Sequence, residues 1–300
     1  MKSAKVVHNP KAGEQGLTKK ELVDFVKSGG WECRYSSTKD KDWNEIHPET
    51  DFIIVAGGDG TVRKAASEIL ERKMVDKKLP IALLPMGTAN NISKTLGIEG
   101  ELSSIVQSWA EKNIKPFDVG KIEGIDCSFF LESLGAGVFP RLIKDMKAAD
   151  KTGIENPAEE IKMALQMLYE LVLSYEAKDG KINIDGSLHS SKYLMVEIMN
   201  TRSVGPNLLI AADADPGDGE LDIILVPEEK RNELAIYVLG LIREESPVFP
   251  ILSLKGKEVD LEWDSTHLHA DDQLIKVEKN TKVRIRLESG LLDFLVPANR

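Results

Sequence analysis

The chain has 300 residues, 42% of them hydrophobic and 29% charged, and acids exceed bases by ten. The apolar fraction is enough for a sizeable core, and the length suits two domains or one large one. A net charge of −10 argues against a nucleic-acid coat protein, which would carry a basic footprint. It also argues against constitutive electrostatic docking on anionic lipid. Cys33 and Cys127 fit no disulfide framework or zinc spacing and are read as reduced thiols of a cytoplasmic protein. The opening residues, MKSAKVVHNPKAG, hold too short an apolar run for a signal peptide. No window reaches ~18 uninterrupted apolar residues, so no transmembrane helix is expected. The expectation is a cytoplasmic protein that meets a membrane surface only transiently and peripherally. The sequence neither requires nor excludes a homodimer.

In chain order, AKVVHN predicts a short strand that ends in the turn-rich PKAGEQG. LTKKELVDFVKS places Leu17, Leu22, Phe25 and Val26 at helical spacing. WECRYSST reads as a second strand. DFIIVAGG reads as a third, apolar throughout, as a strand covered on both faces should be. TVRKAASEILERKM is a helix, IALLPMG a fourth strand, TANNISKTLG a helix start and ELSSIVQSWAEKN a further helix. Alternation at this pace predicts a doubly wound α/β domain with a parallel sheet, spanning residues 1–120.

After Lys115 the rhythm changes. PFDVGKIEG, CSFFLESLGAGV, KINIDGS, KYLMVEIMN, LDIILVP, KEVDLEW, QLIKVEK and TKVRIRLE are short, alternating and bounded by turns. They predict a mostly antiparallel, β-sandwich-like domain over 121–289. PAEEIKMALQMLYELVLSY and RNELAIYVLGLIREE interrupt it as helices. The last run, GLLDFLVP, has no assigned partner, and the segment 290–300 is a candidate to return to the first domain.

Gly57, Gly58, Asp59, Gly60 and Thr61 join a buried strand to a helix. Glycine lets a ligand approach bare amides, and the helix start adds unpaired N–H groups and partial positive charge. Together these make an anion seat. A carboxylate there repels phosphate unless a divalent cation lies between them or the acid positions a hydroxyl. The stretch is not a P-loop, for it lacks GK[ST]. Nor is it the dinucleotide fingerprint, because Arg63 stands where the third glycine belongs. A second turn with Pro85, Gly87 and Thr88 follows the next strand, and Thr88, Asn90 or Asn91 can cap the helix after it. A third, with Asn9, Pro10 and Gly13, follows the first strand. Turns after neighbouring parallel strands face one crevice, where open sheets bind ligands.

NPKAG, GGDGT and PMGTANN, in this order, resemble the diacylglycerol kinase catalytic domain family. That family includes bacterial soluble lipid kinases and the sphingosine and ceramide kinases; NAD kinases are more distant and share GGDGT. ESLGAGVF after DVGKIEG, and DPGDGELDIILV, are similar to later blocks of the bacterial members. The resemblance implies ATP and Mg2+ as cofactors and a lipid hydroxyl as acceptor. It lays the ATP phosphates against Gly57 to Thr61. Thr88 contacts the nucleotide, with Gly87 and Asn90 in the same turn, and Asn9 and Thr38 line the cleft. It puts a structural magnesium beside the DGxLD block, held by the Asp218 side chain and by backbone oxygens of Asp215 and Glu220. Asp59 and Asp271 are the expected catalytic residues; because Gln273 replaces the family's glutamate, Asp271, Asp272 or Asp59 must serve as general base, and Asp271 is the favoured one.

Two positions depart from the family pattern. Asn91 stands where GTxND has aspartate, and Gln273 stands where D-G-E has glutamate. Glutamine accepts no proton at working pH. Two other readings stand beside the lipid kinase: an NAD kinase-like phosphotransferase, which shares GGDGT, and a catalytically weak lipid- or nucleotide-binding regulator, motivated by Asn91 and Gln273. His267 and His269 alternate with Asp271 and are expected on a solvated strand face rather than on a metal. His8, ending a strand, is expected to pack. Ser133 lacks the setting of a hydrolase elbow. IKMALQMLYELVLSY is core or the wall of a lipid-tail pocket. YVLGLIREESPVFPIL is a membrane-facing flap or a plain helix and loop.

Overall fold

Short apolar strands alternate with capped helices in the first part of the chain. The order is β1 (Ser3–His8), α1 (Lys19–Ser28), β2 (Glu32–Ser37), β3 (Phe52–Gly57), α2 (Asp59–Leu70), β4 (Ile81–Pro85), α3 (Asn91–Thr95) and α4 (Leu102–Ser108). The computed structural model describes residues 3–12, 17–72, 77–150, 152–154 and 156–298. Residues 13–16, which include Gly13 of the expected first turn, lie outside the described residues, as does the end of the expected helix at Lys73 and Met74.

Helix α1 starts where the sequence supplies a capping box. The Thr18 amide donates to Glu21 Oε2 at 2.7 Å, and the Glu21 amide donates to Thr18 Oγ1 at 3.3 Å. Leu22 and Val26, one turn apart, are its buried residues. Helix α2 begins two residues before the expected start, with Gly58 as N-cap. Asp59 and Gly60 therefore belong to its first turn.

The strands β1 to β4 pair in parallel. β1 lies between β2 and β3, and β3 pairs with β4. The chain thus leaves β1 on one side for β2 and returns on the other for β3. That makes the β1/β3 junction a topological switch point, where open sheets leave a crevice beyond the strand ends. Every residue of β3 is buried, as a strand with helices on both faces requires. Trp31, Phe52 and Trp109 pack at tilted or edge-on angles, with centroids 5.1 to 6.4 Å apart, and anchor the core beside it.

The chain divides into two compact units, residues 1–117 with 290–300 and residues 118–289. It crosses between them within two strands, β5 (Ile114–Glu123) and β17 (Lys282–Leu295). At the end of β17, Phe294 and Leu295 pair in parallel with Ile81 and Ala82 of β4.

In the second unit the elements are β6 (Phe129–Phe130), β7 (Ser133–Gly137), α5 (Val138–Ala148), α6 (Pro157–Ser174), β8 (Lys178–Ile184), β9 (Ser187–Met199), β10 (Ser203–Val204), β11 (Leu208–Leu209), β12 (Leu221–Pro227), α7 (Arg231–Ile242), β13 (Leu254–Gly256), β14 (Glu258–Trp263), β15 (His267–Ala270) and β16 (Gln273–Lys276). The pairings are antiparallel. β9 organises them: its first half pairs with β8, and its second half lies between β7 and β12. Two apolar clusters result. One packs α5, α6 and α7 on β9 and β12 through Phe139, Leu168, Met195 and Tyr237. The other fills the strand sandwich around Phe130, Val196, Trp263 and Ile285. Among the described residues no helix is long and apolar enough to cross a membrane. Both cysteines are free thiols.

Candidate active site

Four strand exits of the first unit are tied together by main-chain hydrogen bonds. The Thr38 amide donates to the His8 carbonyl at 2.8 Å, Asn9 to Ala56 at 3.0 Å, and Met86 to Gly57 at 3.0 Å. The turns holding Asn9, Thr38, Gly57–Thr61 and Met86–Asn91 therefore sit side by side on the carboxyl edge of one sheet. His8 is buried, with Nδ1 3.0 Å from the Tyr35 hydroxyl. Burial lowers its pKa, and it packs as expected.

The two glycine turns touch backbone to backbone. A Cβ built on Gly87 would lie 2.3 Å from Gly58 Cα, and one on Gly58 would lie 2.8 Å from Gly87 Cα. A Cβ on Gly57 would meet Thr61 Oγ1 at 2.5 Å. None of these three glycines has a positive φ. Close approach, not left-handed backbone, is what requires glycine here.

Asp59 fastens the contact. Its Oδ2 accepts from the Asn91 amide at 3.0 Å and its Oδ1 from the Ile92 amide at 3.1 Å. A carboxylate in the first turn of one helix thus caps the start of another, where amides lack intrahelical partners. Asn90 sits at the N-cap position with φ 54° and makes no cap bond. It closes the turn instead: Oδ1 accepts from the Gly87 amide and Nδ2 donates to the Gly87 carbonyl, both at 2.8 Å. Asn91 is buried against this assembly. As asparagine it adds no second negative charge beside Asp59. Thr88 is exposed at the tip of the turn.

The second unit holds a separate polar corner. Asp271, at φ 51°, points its carboxylate at three consecutive amides. Oδ1 accepts from Leu131 at 3.1 Å, Glu132 at 2.7 Å and Ser133 at 3.3 Å. Its own amide donates to the Ser133 carbonyl at 2.8 Å. His269 lies beneath it with Nδ1 2.9 Å from the Asp271 carbonyl and Nε2 2.9 Å from Glu197 Oε1. Both ring nitrogens face oxygen acceptors, so the imidazolium satisfies the site best. Burial alone would lower the His269 pKa, but Glu197 and the Asp271 carbonyl outweigh it and the shift is upward. Gly135 makes room for this pair, for its Cβ would lie 2.0 Å from Glu197 Oε1. His269 is therefore buried and ion-paired, which corrects the expectation of a solvated strand face.

The acidic turn after β11 is held from β5. Asp118 Oδ2 accepts from the Gly219 amide at 2.9 Å, and the Asp118 amide donates to the Pro216 carbonyl at 2.5 Å. Asn200 Nδ2 bridges the Asp118 and Leu131 carbonyls at 2.9 and 3.0 Å.

Residues 3–122 match the family model "Diacylglycerol kinase catalytic domain", and residues 146–286 match "YegS C-terminal NAD kinase beta sandwich-like domain". The chain belongs to the diacylglycerol kinase catalytic domain family. A diacylglycerol kinase of Bacillus subtilis (strain 168) is 24% identical over 298 residues, covering 96% of this chain and 89% of its own. One from Staphylococcus aureus (strain JH9) is 24% identical over 270 residues, covering 87% and 82%. The crystal structure of a diacylglycerol kinase from Bacillus anthracis str. Sterne has a TM-score of 0.74 at 23% identity, covering 99% of this chain and 97% of its own. An NAD kinase from Archaeoglobus fulgidus in complex with ATP gives 0.50 at 12% identity, covering 99% and 94%. Both structural likenesses concern the fold.

In this diacylglycerol kinase-family chain, Asn9, Thr38, Gly57 to Thr61, Gly87, Thr88 and Asn90 lie on the one sheet edge of the first unit. Asp215, Asp218, Glu220 and Asp271 belong to the second. The acidic turn does not fit a divalent ion. Asp218 Oδ2 lies 3.2 Å from Lys255 Nζ, while Asp218 Oδ1 accepts from the Glu220 amide at 2.9 Å. Asp215 Oδ1 accepts from the Gly217 amide at 3.0 Å. An ammonium thus stands beside Asp218, where the resemblance expects magnesium. Sequence reasoning missed Asp118, Asn200, Glu197 and Lys255, which act through partners far away in the chain. It also missed Lys94 on α3, whose charge interacts with that of Asp59.

Gly87→Ala should destabilise the protein by about 1–3 kcal/mol, the usual range for overpacking, and should abolish nucleotide binding. Thermal denaturation and nucleotide titration check this, and an unchanged midpoint would mean that the two turns can part. The His269 shift has a pH signature. Because the folded pKa is raised, the pair's stabilisation is fully present below the unfolded histidine value and is lost as pH rises through the folded one. The melting temperature should therefore fall across that alkaline window, and His269→Gln should flatten the slope.

Proposed function

We propose that this protein is an ATP- and magnesium-dependent lipid kinase that transfers the γ-phosphoryl group to a hydroxyl of diacylglycerol or a related lipid. The observation that carries the reading is the Gly58–Gly87 contact at the ends of adjacent parallel strands, opening onto the N-terminus of α2. That helix is 12 residues long, and its first amides have no intrahelical partners. They and the helix dipole suit a phosphate chain. Magnesium arriving with the nucleotide neutralises charge on the phosphates. Asp59, fixed by two amides, holds its negative charge at one place beside that seat. Lys94 supplies a nearby cation.

The β-rich unit is assigned to the acceptor. Curated relatives of similar length carry the name diacylglycerol kinase, which supports a lipid. Ile236 on α7 is 69% exposed, and Val248 and Leu252 beyond it are 90% exposed. Such side chains suit a peripheral approach to a bilayer surface better than a soluble acceptor.

In this reading the base is not Asp271. Asp271 carries three amide hydrogen bonds, so taking a substrate proton would disturb them. Its role in this reading is to hold the turn 271–273. Asp272, exposed on that turn, takes the base role in this reading. Phosphoryl transfer depends mainly on positioning and charge neutralisation, so Gln273 is compatible with turnover. The anchored Asp271 and Gln273 also favour a second reading, a regulator that binds nucleotide and transfers little.

Incubation with radiolabelled ATP and diacylglycerol, a sphingoid base, phosphatidylglycerol or NAD separates these readings. Label should enter a lipid. Label in NAD alone, or nucleotide binding with no labelled acceptor, would overturn the proposal. Asp272→Asn should lower kcat about 100-fold or more, as loss of a general base does, with an unchanged melting temperature. Asp271→Asn should lower both. The reverse pattern would return the base role to Asp271.

A further inference from the structure

We propose that the ammonium of Lys255 replaces a structural divalent cation at the turn 215–222, so that the β-rich unit holds this turn without metal. The strand register makes the substitution. Lys255 on β13 pairs directly with Asp222 on β12, and cross-strand partners in an antiparallel pair share one face of the sheet. Lys255 Nζ reaches Asp222 Oδ2 at 2.8 Å and Asp218 Oδ2 at 3.2 Å.

Asp222 is the group that needs a counter-charge. Its side chain is 2% exposed, and its Oδ1 has no hydrogen-bond partner among the described residues. A carboxylate so buried is strongly unfavourable unless a cation pairs with it. Lys255 meets that need, and its side chain remains 35% exposed, so the flexible stem brings the charge in from the surface. A divalent ion approaching Asp218 would meet a positive charge already on the same oxygen. The main chain already uses neighbouring acceptors: Asp218 Oδ1 accepts from the Glu220 amide at 2.9 Å, and the Asp215 carbonyl accepts from the Asp218 amide at 3.1 Å. Among the described residues no three His, Cys, Asp or Glu side chains gather as a metal cage.

The magnesium that accompanies ATP is a separate ion and is untouched by this argument.

The test uses the whole chain without nucleotide or lipid, so its outcome does not depend on the acceptor assay. After dialysis against EDTA, wild type should melt within about 1 °C of the same protein in excess MgCl2, because no bound ion is lost. Mn2+ titration followed by electron paramagnetic resonance should reveal no site that Asp218→Asn removes. Lys255→Met should melt lower in EDTA and recover in Mg2+ or Ca2+, since the ion then reaches the vacated carboxylates. Lys255→Arg should keep the metal-independent behaviour. A wild-type midpoint that rises by about 5 °C or more with Mg2+, the scale expected of a saturating ligand, would overturn the proposal if Asp218→Asn abolishes the rise. So would a folded Lys255→Met that ignores divalent ions. If Lys255→Met does not fold at all, the wild-type melting and Mn2+ results decide alone.

Discussion

The contact between Gly58 and Gly87 is the constraint on which the nucleotide-binding edge depends. Parallel pairing of β3 and β4 brings two strand exits side by side, with Gly57 opposite Pro85. Any side chain at either glycine would wedge them apart. Once the backbones touch, Asp59 can reach the first amides of α3, and Asn90 can close its turn around Gly87. Sheet register, glycine placement and helix capping thus belong to one assembly. The loops are rigid because main chain rests on main chain, a contact that no rotamer change can relax.

The β-rich unit solves a different problem, that of keeping charges inside. Glu197 and Asp222 are almost completely buried carboxylates. Each meets a cation from another strand, His269 reaching across β7 to Glu197 and Lys255 pairing from the adjacent β13 with Asp222. Removing one partner of such a pair typically costs about 3–5 kcal/mol, because the other charge is left uncompensated. Asp271 and Asp118 are satisfied by main-chain amides instead. The same unit therefore neutralises acids with side-chain cations in its sheet and with peptide dipoles in its turns.

Much of this was legible in the residues. The alternation of apolar runs and helix-period segments marked the parallel sheet, and the short turn-bounded runs after Lys115 marked the antiparallel one. The turns at Gly57–Thr61 and Gly87–Asn91 stood out because glycine and threonine clusters interrupt apolar strands. The reason for the glycines was not legible: it is a backbone contact between residues 29 positions apart. Asp59 reads as a ligand residue in isolation, and only the folded chain shows its carboxylate on α3. His269 alternated with a polar neighbour and so looked solvated. Its partner Glu197 sits 72 residues away, on the strand beyond β7, and no local pattern reports that. No sequence pattern marks Lys255; the strand register alone sets it opposite Asp222.

A seat made of peptide N–H groups recognises charge and spacing and is blind to the heterocycle at the other end of the ligand. The two glycine turns would grip the phosphate tail of a guanine nucleotide as firmly as that of an adenine one. In the proposed kinase, base selectivity would have to come from side chains outside both turns, leaving the phosphate seat unchanged.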